Sequence, residues 1–412
     1  MIDKFIKLIT SLKLTVVCLL CSLVVVFFGT MAQDPLGLYI SQERFFHSFF
    51  IDWAAMWASV KKTLQMFGVY MTPSTGAQVL QAQWVPVFPG GYLLGSVLLI
   101  NLIATHFTKF KWTKAKSGIF LTHAGIILLL VGQLFTDMFA KESNLRLEEG
   151  QTKNYSIDAR KNELAVVKIG ENSNRVISIP ESKLKVGKVI SHPEMPFQLK
   201  VTEYWKSSDI SGSDAPGYMK VDATQGIGPR VYVKSIPAAT AMDARDIPAV
   251  VVEVLDSGHG HGTWFSTPSL ARRQFHHDHD GNQWEIAFRF KRYYTPYSIT
   301  LLEAKHDKYK GTEIPRNFSS VVRIEDSVSG ENRETKIFMN NPLRYAGKTY
   351  YQYQMAAGEM MASRGLKSTS TLQVVQNPSW LAPYLGCGIV GLGLVIQFLI
   401  HLVKFAKKRK PA

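Results

Sequence analysis

Residues 109–139 read KFKWTKAKSGIFLTHAGIILLLVGQLFTDMF, and this stretch decides the fold. Lys109, Lys111, Lys114 and Lys116 lead into an apolar run that carries one histidine, His123. Ile119 to Phe139 is a run of about 21 residues with no charge except Asp137, enough at ~1.5 Å per residue to cross a ~30 Å hydrocarbon core. The run therefore predicts a membrane helix. An imidazole is costly in lipid, so His123 marks a function or faces a partner helix.

Working outward, the apolar fraction of 46% and charged fraction of 19% average over a strongly segmented chain. The net charge of +15 does not point to nucleic acid, because of where it sits. Lys4, Lys7 and Lys13, the four loop lysines, and Lys404, Lys407, Lys408, Arg409 and Lys410 all flank apolar segments, against one acid, Asp3. This is a topology signal that places the loop and both termini on the cytoplasmic side. The cysteines, Cys18, Cys21 and Cys387, all fall in apolar segments, so no disulfide framework is expected. Cys18 and Cys21 form a CxxC without the electropositive, wet setting that makes a thiolate, and read as packing or lipid-facing residues.

Five regions follow. Residues 1–31 hold a basic start and an apolar run from Leu14 to Met31, longer than most signal-peptide cores and read as a retained anchor. Residues 32–86 are external, with an amphipathic helix in SFFIDWAAMWASVKKTLQMFG, whose Phe49, Trp53, Met56, Trp57, Val60 and Leu64 suit a membrane interface or a partner contact. Residues 87–139 form a hairpin of spans, the first from Val87 to Phe107 with Asn101 and His106, joined by the basic loop. Residues 140–382 contain about eleven β-favouring runs, ELAVVKI, NRVISI, FQLKVTEY, PRVYVKS, AVVVEVL, WEIAFRF, SITLLEA, SVVRIE, TKIFMN, KTYYQYQ and STLQVVQ, and predict an external sandwich or open barrel. Residues 383–412 hold the last span, Pro383 to Val403, and a basic tail. Gly386, Gly388, Gly391 and Gly393 in that span suit close contact with another membrane helix. The fold class is thus an integral membrane protein with four transmembrane helices and a large external all-β domain.

His106 and His123 lie at one membrane depth with no carboxylate or nucleophile nearby, which suits axial ligation of haem iron better than hydrolytic chemistry. Asn101 and Thr122 are the expected hydrogen-bond partners of the imidazole. His401 sits at a helix end and is a weaker ligand. His259, His261, His276, His277 and His279, with Asp278 and Asp280, invite a metal reading. Their spacing matches no fixed pattern and their surroundings are rich in Gly and Asp, so a solvated loop with incidental metal affinity is expected. Tyr345, Tyr350, Tyr351 and Tyr353 are either an aromatic contact surface or a tyrosine-rich core face. No Ser/His/Asp order, phosphate loop or acid pair is present.

The stretch NNPLRYAGKTYYQYQM, preceded by EIPRNFSS, closely resembles the ResB (CcsB) family of cytochrome c biogenesis proteins, and the layout of spans matches over essentially the whole chain. The resemblance implies a subunit of the System II haem-handling complex in a bacterial cell membrane, with its large domain on the periplasmic side. It implies a multispan partner of the ResC/CcsA type and transient binding of haem, which is presented to the CxxCH cysteines of apocytochrome c. Thioether bonds then form between haem vinyl groups and reduced cysteines, in a holocytochrome c synthase whose ResB-type subunit is a relay and scaffold and not an enzyme alone. The family's transmembrane haem histidine maps to His123, in THAG. The partner's tryptophan-rich motif is not found here, so a second ligand must be borrowed. Two other readings stand beside this one: a b-type electron carrier with His106 and His123 as permanent ligands, and an anchored, non-catalytic binding protein.

Overall fold

The computed structural model describes residues 2–109, 113–171, 173–239, 244–256, 259–270, 272–309, 311–312, 315–357, 361 and 365–408. Lys111, Glu313, Ile314, Arg409 and Lys410 of the stretches above lie outside these. The chain divides into two compact units, one built mainly from residues up to Ala140 and from Gln376 onward, the other from Lys141–Ala239 and Ala244–Val375.

The first unit contains four helices long and apolar enough to cross a membrane. They are α1 (Leu12–Leu36), α2 (Gly91–Lys109), α3 (Ser117–Phe139) and α4 (Ala382–Lys408). Ser11 caps α1 by accepting from the backbone N–H of Lys13 at 3.2 Å. The helix runs past the expected end at Met31, through Pro35 in its last turn, and stops where Gly37 takes φ +81°. The second span starts later than its hydropathy suggests. Pro86–Pro89 (β2) leaves the helix to pair with Phe50–Asp52 (β1), a use that two prolines favour over a helix interior.

The amphipathic helix is observed at Trp53–Met66, and Asp52 caps it by accepting from the N–H of Ala55 at 3.1 Å. Asp52 is buried and ion-paired with Arg44 at 3.2 Å. The face that packs inward is Ala55, Ala58 and Ser59. Small side chains let this helix approach α1 closely, while Trp53 stays half exposed and stacks on Trp57 at 5.7 Å. Cys18 lies in the same buried cluster, with Val25, Ala32, Ile40, Phe45 and Leu94, and Cys21 packs beside it.

The second unit is all β. Its strands are β3 (Lys141–Glu148), β4 (Thr152–Lys168), β5 (Arg175–Pro180), β6 (Val189–Ile190), β7 (Gln198–Trp205), β8 (Ser208–Ser211), β9 (Met219–Lys220), β10 (Tyr232–Ser235) and β11 (Ala249–Asp256). They continue with β12 (His259–Ser266), β13 (Phe275–His277), β14 (Gln283–Lys308), β15 (Pro315–Asp326), β16 (Glu331–Phe338), β17 (Leu343–Tyr345), β18 (Lys348–Ala356) and β19 (Thr369–Gln376). Each of the eleven expected runs contributes to a strand, PRVYVKS only from Tyr232 onward, with WEIAFRF and SITLLEA joined in the single long β14. The main sheet, ordered β16-β15-β14-β4-β3-β19-β18-β17 with β13 and β5 attached, is nearly closed like a barrel. Alternate residues such as Leu145 and Leu147, Ile299 and Leu301, and Val322 and Ile324 fill its interior, as a period of two requires.

A second sheet, β12-β11-β7-β6, packs on the outer part of the first, burying Leu164, Val166, Leu199, Val201, Val252, Trp284 and Phe288 between them. The small sheet β8-β10-β9 supplies Val233 to a further cluster with Val251 and Phe265. Strand β11 is therefore buried on both faces, which is why AVVV reads as a continuous apolar run without alternation.

Candidate functional site

Helices α2 and α3 bring His106 and His123 together. Their ring centroids are 6.0 Å apart with planes at 71°, and Phe120 packs against His106 at 4.7 Å. That separation is close to the ~6 Å between the centroids of two imidazoles bound to one metal ion with bonds of ~2.0–2.1 Å. Both ring nitrogens of His106 are buried.

The expected supports for His123 are engaged elsewhere. Asn101 is buried, accepts from the hydroxyl of Thr15 at 2.7 Å and donates to the carbonyls of Ile9 and Ser11. It ties α2 to the start of α1. Thr122 donates back to the carbonyl of Gly118 at 3.0 Å, the ordinary way a helical threonine is satisfied.

The face of α3 opposite His123 is fixed by glycine. Gly118, Gly125 and Gly132 recur every seven residues, as do Gly386 and Gly393 on α4, and the two helices meet along this seam. A Cβ on Gly118 would lie 2.5 Å from the carbonyl oxygen of Gly393, and one on Gly125 would lie 2.9 Å from that of Gly386. Two of the four glycines of α4 thus make the expected close contact with another membrane helix, and that helix is the chain's own α3. Gly388 and Gly391 face open space. Gln397, which the sequence reading passed over, locks the same seam: its amide oxygen accepts from the N–H of Ile119 at 3.2 Å and its nitrogen donates to the carbonyl of Ala115 at 3.4 Å. It satisfies one of the unpaired N–H groups in the first turn of α3. His401 lies 3.2 Å from Gln397, a role in that strap and not in the His106–His123 pair. A polar residue inside an apolar run, at one helical turn from a histidine, was the signal available.

The histidine-rich stretch is not a solvated loop. His259 and His261 belong to β12 and His276 and His277 to β13, and Asp278, His279 and Asp280 lie in the turn that follows. His276 is buried between the edges of Phe197 and Trp264, at 4.9 and 5.3 Å, and burial pulls its pKa below the usual histidine range. The tyrosine motif divides by strand parity. Tyr350 is core, its hydroxyl 2.7 Å from that of Tyr297, and Tyr345 donates to Asp326 at 2.9 Å, whereas Tyr351 and Tyr353 are exposed. A contact surface made of all four tyrosines is therefore excluded. Elsewhere in the β unit, a cleft of about 610 Å³ is lined by Tyr155, Arg273, Arg289 and Arg292 among others, with Arg273 and Arg289 already paired to Glu285 and Glu163.

No family model matches the chain. It is similar to Protein NrfI of Wolinella succinogenes, with 29% identity over 126 residues. That segment is 31% of this chain and spans only 13% of NrfI.

Proposed function

We propose that this chain is the haem-relaying membrane subunit of a System II cytochrome c biogenesis complex, working with a ResC/CcsA-type multispan partner. The observation that carries this reading is the approach of His106 and His123 to 6.0 Å on neighbouring apolar helices. The resemblance of NNPLRYAGKTYYQYQM to the ResB family supports it, and the similarity to Protein NrfI supports a cytochrome c biogenesis role more loosely.

In this reading haem is cargo. His123 is the principal axial donor and His106 the second, from this chain or in exchange with a donor of the partner. The basic loop at residues 109–116 orients the pair toward the cytoplasmic leaflet, where haem enters. The β domain stands on the periplasmic side, where the cysteine thiols of apocytochrome c add across the haem vinyl groups. Each addition forms one C–S bond and moves the thiol hydrogen to the neighbouring vinyl carbon, so the subunit need only position the reactants and no net oxidation occurs.

The test is His123→Ala in the full complex, with His401→Ala as the comparison. Co-purified haem and c-type cytochrome levels should both collapse in the first and persist in the second, and added imidazole should restore part of the first. Unchanged haem content and unchanged cytochrome c would overturn the assignment. Retained haem that cycles redox state, with intact cytochrome c maturation in a deletion strain, would instead establish a b-type electron carrier, for which the same histidine pair is suited.

A further inference from the structure

The β unit contains a second group of donors, brought together from three separate segments. Asp256 ends β11, His261 lies in β12, and His279 lies in the turn after β13. One ligand atom from each lies within 4.8 Å of the others. His279 Nε2 is 2.9 Å from Asp256 Oδ2, and the His261 and His279 rings are 5.6 Å apart and nearly perpendicular. Asp256 is buried, while the two imidazoles are open to solvent, so the group is anchored at its base and accessible at its mouth.

The turn that presents His279 is rigid. Asp278 accepts from the N–H of Asn282 at 2.8 Å and from the indole N–H of Trp284 at 2.8 Å, and Gly281 takes φ +78° to close it. A second observation points into the same place. His276 is 7% exposed, its Nε2 has no hydrogen-bond partner among the described residues, and its ring lies 6.4 Å from that of His261. A buried imidazole nitrogen left without a partner is costly, and a metal ion or its bound water is a group that would satisfy it.

We propose that Asp256, His261 and His279 form a binding site for a divalent transition metal ion of the zinc class, with His276 beside the fourth position. Two imidazoles and a carboxylate are a borderline donor set, suited to Zn²⁺ and its neighbours and poor for Ca²⁺ or Mg²⁺. Three protein ligands leave one tetrahedral position for water. The ion crosslinks β11, β12 and the β13–β14 turn. The site is independent of the haem reading.

The experiment uses the full-length chain in detergent, without an affinity tag and without haem. Equilibrium dialysis against Zn²⁺ followed by elemental analysis should give one ion per chain, with a rise in the unfolding temperature. His261→Ala and His279→Ala should each weaken binding by at least ~10-fold, and the double substitution should abolish the one-ion stoichiometry. His277→Ala, at an exposed neighbour outside the cluster, and His123→Ala should leave it unchanged. Both cluster substitutions are at exposed positions, and circular dichroism of the variants checks that the β unit is intact. Equal zinc binding by wild type and the double variant, or equal loss in His277→Ala, would mean an adventitious ion only and would overturn the site.

Discussion

The hydroxyls of Tyr297 and Tyr350 lie 2.7 Å apart inside the barrel, each the other's partner, in a place water does not reach. Tyr345 packs edge-on against Tyr297 at 4.8 Å and anchors the group to Asp326. Burial and the neighbouring hydroxyl push the Tyr350 pKa above the usual range, so the pair is neutral at every physiological pH. Tyr350→Phe should cost about 1–2 kcal/mol of unfolding free energy, because it strands the Tyr297 hydroxyl. The double change Tyr297→Phe/Tyr350→Phe should recover much of that loss. Thermal unfolding of the four proteins in a double-mutant cycle reads the coupling, and simple additivity would refute it.

Glu163 is nearly fully buried and is held by Arg289 through Nε at 3.0 Å and by the hydroxyl of Ser178. Arg289→Ala should destabilise the β unit by about 3–5 kcal/mol, the cost of a buried carboxylate without its cation. Adding Glu163→Gln should relieve a large part of that loss. Chemical denaturation of the solubilised chain decides, and a loss below ~1 kcal/mol would show that the pair is solvent-screened.

The glycine seam predicts a position-specific response in the membrane unit. Gly125→Leu forces a side chain into the Gly386 carbonyl and Val390, and should lower the unfolding temperature in detergent, at a cost of about 1–3 kcal/mol. Gly388→Leu, on the same helix as Gly386 but facing open space, should be neutral in the isolated chain. Equal effects at both positions would remove the seam as the contact.

Ala346 and Gly347 turn β17 into β18 with φ of +46° and +72°, the two-residue hairpin that favours Asn-Gly. Ala346 is therefore in the left-handed region that costs a side chain about 1–2 kcal/mol. Ala346→Asn should raise stability by ~1 kcal/mol without touching a contact in the core. No gain would mean that the strain is relieved by neighbouring residues.

The spans and strands were legible in the sequence because each carries its own period. The long apolar run in α3, or the alternation in SITLLEA, reports local burial whatever surrounds it. The two histidines on α2 and α3 could be paired by depth alone. Partnerships set by tertiary contact were not legible. Asn101 looked available to His123 until α1 claimed it, and β1 and β2 took Val87 and Phe88 from a run that hydropathy assigned to a helix. The donor cluster at Asp256, His261 and His279 has no regular spacing because two strands and a turn assemble it. The Gly118, Gly125 and Gly132 repeat was visible and went unread beside the more crowded glycines of α4.

The backbones of α3 and α4 touch along their whole shared length, so nothing the size of a porphyrin can pass between them. On a helical wheel His123 points about 160° away from the glycines of that seam, at 3.6 residues per turn. One wall of any passage is thereby closed. In the reading proposed above, haem that reaches His123 would come along the flank shared with α2, and the proposed partner's helix would pack on that side.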